Sequence, residues 1–325
     1  MAKMTKETLD TFVKGVVAAG KQAGAWTAST NNFISLVDKI GKQVQLNGLY
    51  NDKLPELDGD NLPLGKTIEE YFIDLTLPTT YSDATTEGAK DDAPALPSVE
   101  ACAYSYTLGR QKIKTTVPYD NIERAMSSDD YLSSAVVDIT EKLQNSLDLT
   151  KYQMKKQLLG NAASKAIAAK TTAPDVYKSV PIPTDSNTSE AFILAAKEAA
   201  EDASFAHQGG LGNALIGAAP ELILFVRKGV MPTVAVQAMA GAFQKDELAL
   251  PAKVVVVDDF GTITGETSGK KVYAIMADPR GIKLHEGYNA TRARENADGD
   301  FINYVKHFEE TGFISKYTFL RVFEG

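Results

Sequence analysis

The chain has 325 residues, 44% of them hydrophobic and 23% charged, and its 34 lysines and arginines face 42 aspartates and glutamates for a net charge of −8. That is enough apolar sequence to bury a sizeable core in one to three domains. The acidic balance excludes a shell of lysines wrapped tightly around nucleic acid, because such binding draws its affinity from phosphate neutralisation, so any contact with nucleic acid is expected to be local and weak.

The N-terminal twenty residues, MAKMTKETLDTFVKGVVAAG, start basic but break into charge before a signal-like core forms, and no run approaches the roughly 18 apolar residues of a membrane helix. Leu9, Phe12, Val13, Val16 and Val17 fall at helical spacing, and a second amphipathic stretch runs from Asn32 to Ile40, with the breaker GAWTASTNN between them. Two short helices followed by the turn-rich LNGLYNDKLPELDGDNLPLG predict an arm over residues 1–61, since neither helix has enough apolar surface to bury alone.

In TIEEYFIDLTLP, Tyr71, Ile73, Leu75 and Leu77 alternate with Phe72, Asp74 and Thr76, the period of a strand. A second strand-like run, ACAYSYTLGRQKIKTTVPYD, carries Tyr104, Tyr106 and Leu108, then Ile113, Thr115 and Val117. Its Cys102 is the only cysteine; it excludes an intrachain disulfide framework, suits a reducing compartment and is expected to be packing material. Between the two runs lies TYSDATTEGAKDDAPALPSVE, with no apolar period, two prolines and five acids. The three stretches predict a long hairpin over residues 62–117 whose tip is polar. A two-stranded ribbon has little stability of its own, so the expectation is that it lies on something, most economically another subunit.

Residues 127–160 place Leu132, Val136, Ile139, Leu143, Leu147, Met154 and Leu158 at intervals of three, four or seven, which predicts one long helix. Serines and aspartates crowd its start and lysines its end, matching capping and dipole preferences, and Gly160 is expected to stop it. From residue 184 to 290 the pattern is α/β: SEAFILAAKEAAEDASF reads as a capped helix, ELILFV, KVVVVDDF and KVYAIMADP as strands, and KGVMPTVAVQAMAG as a helix interrupted by Pro232. The aromatic tail FINYVKHFEETGFISKYTFLRVFE reads as a closing pair of strands tied into a sheet.

Catalytic constellations fail on spacing. GDNLPLGKT ends like a phosphate-binding loop, but Gly59 lies one position too far from Gly65, and Pro63 sits where backbone amides must face phosphate. HQGGLGNALIG has clustered glycines without a preceding strand and is expected to be a flexible loop. His207, His285 and His307 lack metal-ligand neighbours at short spacing. Asp298, Gly299 and Asp300 lack the downstream glutamate of a calcium loop, and the pairs Asp91-Asp92 and Asp258-Asp259 read as solvated charge. No enzyme activity, cofactor or metal is expected.

The order of helical arm, long hairpin with a polar tip, single long helix, α/β region and closing strands resembles the major capsid proteins of tailed bacteriophages, whose fold encapsulin shells share. The resemblance extends over nearly the whole chain and is carried most tellingly by PELILFVRKGVMPTVAV and by the segment from VYAIMADPRGIKLHEGY to the end. It implies an α+β fold with an N-terminal arm (1–61), an extended loop (62–117), a peripheral domain (118–183 and 291–325) built on a spine helix (127–160), and an axial domain (184–290). It further implies a subunit that assembles as hexamers and pentamers into an icosahedral shell around double-stranded DNA contacted weakly, formed in the host cytoplasm with no membrane involved. Its implied partners are a separate scaffolding protein, a portal and decoration proteins. The loop-tip residues Asp83, Glu87, Lys90, Asp91 and Asp92 become expected intersubunit contacts. Some members weld subunits through a loop lysine; Lys90 is the only lysine at this tip, and it reads here as a solvated charge. Two other readings stand beside the capsid: an encapsulin-like compartment holding a cargo enzyme, and an α/β ligand-binding enzyme.

Overall fold

The computed structural model describes residues 53–62, 68–73, 99–104, 107–118, 129–219, 221–234, 252–296, 299 and 301–325. In chain order these form strands β1 (Ile68–Ile73), β2 (Val99–Tyr104) and β3 (Thr107–Pro118), helix α1 (Asp129–Ala169), strand β4 (Tyr177–Ser179) and helix α2 (Ser186–Ser204). The short strands β5 (His207–Gly209) and β6 (Ala214–Ile216) follow, then β7 (Ile223–Arg227), β8 (Lys253–Val257), β9 (Val272–Ala277), β10 (Ile282–Asn296), β11 (Phe301–Ile314) and β12 (Leu320–Glu324). The two helices expected near the N-terminus, the GKT stretch and the hairpin tip lie outside the described residues.

The run VYAIMA has no polar alternation, which suits a strand covered on both faces. As β9 it is buried at every position and occupies the centre of a five-stranded sheet of order β4-β12-β9-β7-β8. On one side, Leu158, Leu159, Ala162, Ala163 and Ala166 of α1 share an apolar cluster with Phe225, Ile275 and Val322. On the other, Phe192, Ala196, Ala199 and Ala203 of α2 cluster with Leu224, Met276 and Phe323. At about 1.5–3 kcal/mol for each fully buried large apolar side chain, these two clusters are the main source of stability. Helix α2 starts as its sequence promises: Asp185 caps it, accepting from the Thr188 amide, while the Thr188 hydroxyl answers the Asp185 amide.

The middle of α1 covers a second sheet, ordered β10-β11-β3 and antiparallel throughout. Leu147 and Met154 join Leu284, Phe308 and Ile314 in the same cluster, with Ile113 packed at its edge. Along β11 the alternation of half-buried and buried residues follows the period of a sheet with one face on the core.

Several sequence expectations need correction. Helix α1 does not stop at Gly160 but runs on to Ala169, 41 residues or about 60 Å, with no basic residue in its last turn. Gly160 is there for close approach: a Cβ on it would meet the Phe260 carbonyl oxygen at 2.1 Å. That contact lies where the segment after β8 crosses the helix, bonded by Gln157 to both the carbonyl and the amide of Thr262.

The end of the expected arm is not free. Leu54 and Leu57 are fully buried, Gly59 and Leu62 donate to the Leu284 and Glu286 carbonyls along the edge of β10, and buried Lys155 donates to the Leu54 carbonyl at 3.0 Å while pairing with Asp58 at 2.6 Å. Residues 207–216 form a hairpin rather than a flexible loop, its turn using positive φ at Gly210 and Asn213. Pro232 does not interrupt a helix; it sits in the first turn of the helical residues 230–234, where the missing N–H costs little. The two closing strands separate, β11 into the three-stranded sheet and β12 into the five-stranded one. The boundary expected between residues 290 and 291 falls inside β10, a strand the sequence reading missed.

Candidate subunit-contact surface

The β1–β2 ribbon is the part of the fold least able to stand alone. It pairs antiparallel from Ile68↔Tyr104 at one end to Ile73↔Val99 at the other, and β1 alternates half-buried and exposed residues. Its inner face is pinned at the turn between β11 and β12. The Phe72 ring stacks on Tyr317, centroids 4.4 Å apart; the Cys102 thiol lies 3.5 Å from the Tyr317 hydroxyl; and the Glu70 carboxylate accepts from the Ser315 hydroxyl and the Lys316 amide. Ser315 also receives the Tyr317 amide at 3.0 Å, which locks the turn.

On the opposite face of β1 the described residues are exposed. Tyr71 is 68% and Ile73 61% exposed, two large apolar side chains side by side in the strand period on a two-stranded element. Exposed apolar surface of this kind, on a ribbon that is two-stranded among the described residues, is a pairing surface. The predicted contact residues Asp83, Glu87, Lys90, Asp91 and Asp92 lie beyond it, outside the described residues. Cys102 is half-buried packing against Tyr317, as expected.

Two charged seams hold α1 to its surroundings. Lys156 spans Asp258 at 2.8 Å and Asp259 at 2.9 Å, and the Tyr152 hydroxyl donates to Asp258 at 2.6 Å. This acidic pair is therefore an anchor on the helix rather than free solvated charge. Burial alone would raise the Asp258 pKa, but the bonds from Lys156 and Tyr152 outweigh it and hold the carboxyl down at about 2. Further along, Lys151 lies 2.5 Å from Glu286 and 3.3 Å from Glu310. Burial would lower its pKa, yet the charges of Glu310 and Glu286 raise it. Glu310, only 1% exposed, is pushed up to about 7 by burial against the pull of Lys151, and Lys306, further along the same buried face of β11, is pushed down to about 8, again by burial.

Among the described residues no three His, Cys, Asp or Glu side chains come together as metal ligands, and His285 and His207 are each turned to a backbone carbonyl, of Asp60 and Phe205. No helix among the described residues is long and apolar enough to cross a membrane. The arrangement is one of anchors and a projecting, half-covered ribbon.

Comparison with known proteins agrees with that description. The major capsid protein of Bacillus phage B103 is 25% identical over 283 residues, covering 85% of this chain and 60% of that protein. That of Bacillus phage PZA is 24% identical over 292 residues, covering 88% and 62%. The chain thus spans about three-fifths of the length of the curated relatives it matches. Among solved structures, the capsid of Staphylococcus phage Andhra superposes with a TM-score of 0.58 at 11% identity, covering 84% of each chain. The mature capsid of bacteriophage PhiM1 does so with a TM-score of 0.52 at 13% identity, covering 85% of this chain and 87% of that one. At such identities these structures establish the fold: mixed helix and sheet in the phage-capsid arrangement. The family model of Phi29-like phage major capsid proteins matches residues 3–323, and the chain belongs to that family.

Proposed function

We propose that the protein is the main building block of a phage head, self-assembling as hexamers and pentamers into an icosahedral shell around double-stranded DNA. The observation that carries this reading is the β1–β2 ribbon, pinned to its own subunit through Phe72, Cys102 and Glu70 while Tyr71 and Ile73 stay bare. A ribbon built so is half of an interface. Family membership supplies the kind of partner, more copies of the same chain. The ribbon is then the root of an extended loop whose tip, including Asp83, Glu87, Lys90, Asp91 and Asp92, lies against a neighbour.

On this reading the work of the chain is geometric and not catalytic. Many modest contacts add up around a closed shell while each stays weak enough for a misplaced subunit to leave. An arm that ends where Leu54 and Leu57 dock, and a loop rooted in β1 and β2, reach outward from two packed units, while β3, expected as part of that loop, stays paired with β11; the units are a peripheral one around α1 and an axial one around α2 and the five-stranded sheet. A separate scaffolding protein, a portal and decoration proteins complete the head, packaged DNA is touched weakly, and the protein resides in the virion after assembly in the host cytoplasm.

Negative-stain imaging and sedimentation of the purified full chain, alone and with the scaffolding protein encoded beside it, test the proposal. Closed particles of uniform size are the expected result. Monomers under every condition tried would overturn it.

A further inference from the structure

Strand β8 reads KVVVV and forms one edge of the five-stranded sheet. Its parallel pairing with β7 fixes which backbone groups are used. The Lys253 amide donates to the Leu222 carbonyl at 3.0 Å, and the Val257 carbonyl accepts from the Lys228 amide at 2.7 Å. Backbone groups of successive strand residues point to opposite sides, so Lys253, Val255 and Val257 face β7 while the amides and carbonyls of Val254 and Val256 face outward. Among the described residues no strand pairs with that outer side, and Val256 is 49% exposed. A run of four valines with no proline or bulge is the kind of edge that natural sheets cover.

The chain itself supplies a cover. Residues 1–52 lie outside the described residues, and the described chain starts at Lys53, close to where Glu56 is clamped to Lys253, the first residue of β8, at 2.6 Å. Just before that point the sequence reads QVQLNGLYND, residues 43–52. Asn-Gly flanked by apolar residues in alternation is the strongest short-range signal for a two-residue hairpin turn. With Asn47 and Gly48 as that turn, Leu46 bonds to Leu49 and Val44 to Asn51, which leaves the amides and carbonyls of Tyr50 and Asp52 pointing out of the hairpin. Every second residue is also the spacing of the open groups on β8.

We propose that residues 43–52 form a hairpin whose second strand adds antiparallel to the outer edge of β8 in the same chain, with Tyr50 opposite Val256 and Asp52 opposite Val254. An antiparallel edge strand on a mostly parallel pair is a common sheet arrangement. The direction follows from the tether: Asp52 stands four positions before Glu56, so the added strand ends at the Lys253 end of β8. The tether also favours the chain's own segment over a second copy's, because a strand held a few residues from its edge is present at about millimolar effective concentration. Both faces of the sheet gain from this register. Val254 packs on the α2 cluster, so Val256 turns to the same side, and the Tyr50 ring covers it as an aromatic and β-branched cross-strand pair. On the α1 side Leu49 falls opposite Val257, a member of the cluster that holds Leu54 and Leu57. A two-stranded hairpin is marginal in water by itself; on β8 it joins an existing sheet. Because the contact is made within one chain, it forms with or without a shell.

Residue-resolved hydrogen exchange on the full chain tests the edge. The amides of Val254 and Val256 should be protected along with those of Val255 and Val257. Tyr50→Pro, which removes the donor to the Val256 carbonyl, should cost Val254 and Val256 about tenfold or more of their protection while Val255 and Val257 keep theirs. Fast exchange at Val254 and Val256 in the wild-type chain overturns the proposal. So does protection that Tyr50→Pro leaves intact, since residues 235–251 or another chain would then cover the edge. The register is tested by oxidation in a Cys102→Ser background. Tyr50→Cys with Val256→Cys should form a disulfide within one monomer, because directly bonded opposite residues have the Cα separation of about 5.5 Å that a disulfide takes. Tyr50→Cys with Val255→Cys should form it at least tenfold more slowly. No disulfide, equal trapping of the two pairs, or a disulfide that joins two chains overturns the proposal, the last by assigning the edge to a second copy.

Discussion

The ring of Phe72 lies flat on that of Tyr317, with centroids 4.4 Å apart and planes within 8° of parallel. The residues are 245 positions apart, and their contact ties a ribbon that could not stand alone to the turn joining the two sheets. Stacked aromatic pairs are worth about 0.5–1.5 kcal/mol beyond the area they bury. Phe72→Ala should therefore leave global stability nearly unchanged while loosening the ribbon. Hydrogen exchange reads this directly: amides of β1 and β2 should lose about tenfold or more of their protection, and those of β9 none. Unchanged exchange in the ribbon would show that it is held by something other than this stack.

Gly160→Ala sets two effects against each other. Alanine is the better helix former by about 1 kcal/mol, so in an exposed helix the change would stabilise. Here the added methyl carbon would lie 2.1 Å from the Phe260 carbonyl oxygen and 3.1 Å from that of Thr262, and backbone does not swing aside as a side-chain end does. Packing should win, with a net loss of about 2–4 kcal/mol in denaturant unfolding. A stabilised variant would mean that the 260–262 segment is free to move off the helix.

These two positions mark where the sequence was legible. Strands β7, β8 and β9 were readable because their apolar runs are local, and α2 because its cap and stripe are. The start of α1 was readable too, but its end was not: a glycine in a helical pattern suggests a stop, and only the crossing backbone at Phe260 explains it as a point of close approach. Strand β10 hid behind polar sequence and the register shift between Glu286 and Tyr288, which breaks the period-two pattern. The docking of Leu54 and Leu57 depends on Lys155, a hundred residues away, and no local signal announces it.

Glu310 makes stability depend on pH. Its carboxyl titrates near 7 in the folded protein, raised by burial, against about 4.3 for an ordinary glutamate. Between those values the folded state holds the proton and the unfolded state does not, so this contribution is fully present below about pH 4 and lost as pH rises through 7. Lys306 runs the other way, lowered to about 8: its contribution is present above about pH 10 and lost as pH falls through 8. Glu310→Gln keeps the shape and removes the titration, so its stability relative to wild type should improve by about 2–3 kcal/mol between pH 5 and pH 8. A difference that stays flat over that range would show that Lys151, 3.3 Å away, fully compensates the buried charge.

The most direct measurement on the extended loop replaces residues 83–97 with a short Gly-Asn turn and compares assembly with wild type. A shorter hairpin loop costs less closure entropy and removes no described core residue, so the circular dichroism of the free subunit should change little. Shells should be absent, misshapen or much less stable to heat, and the weakening of wild-type shells by high salt should shrink in the shortened protein as its acidic tip is gone. Normal shells of equal heat stability from the shortened chain would contradict the claim that this loop joins one subunit to the next.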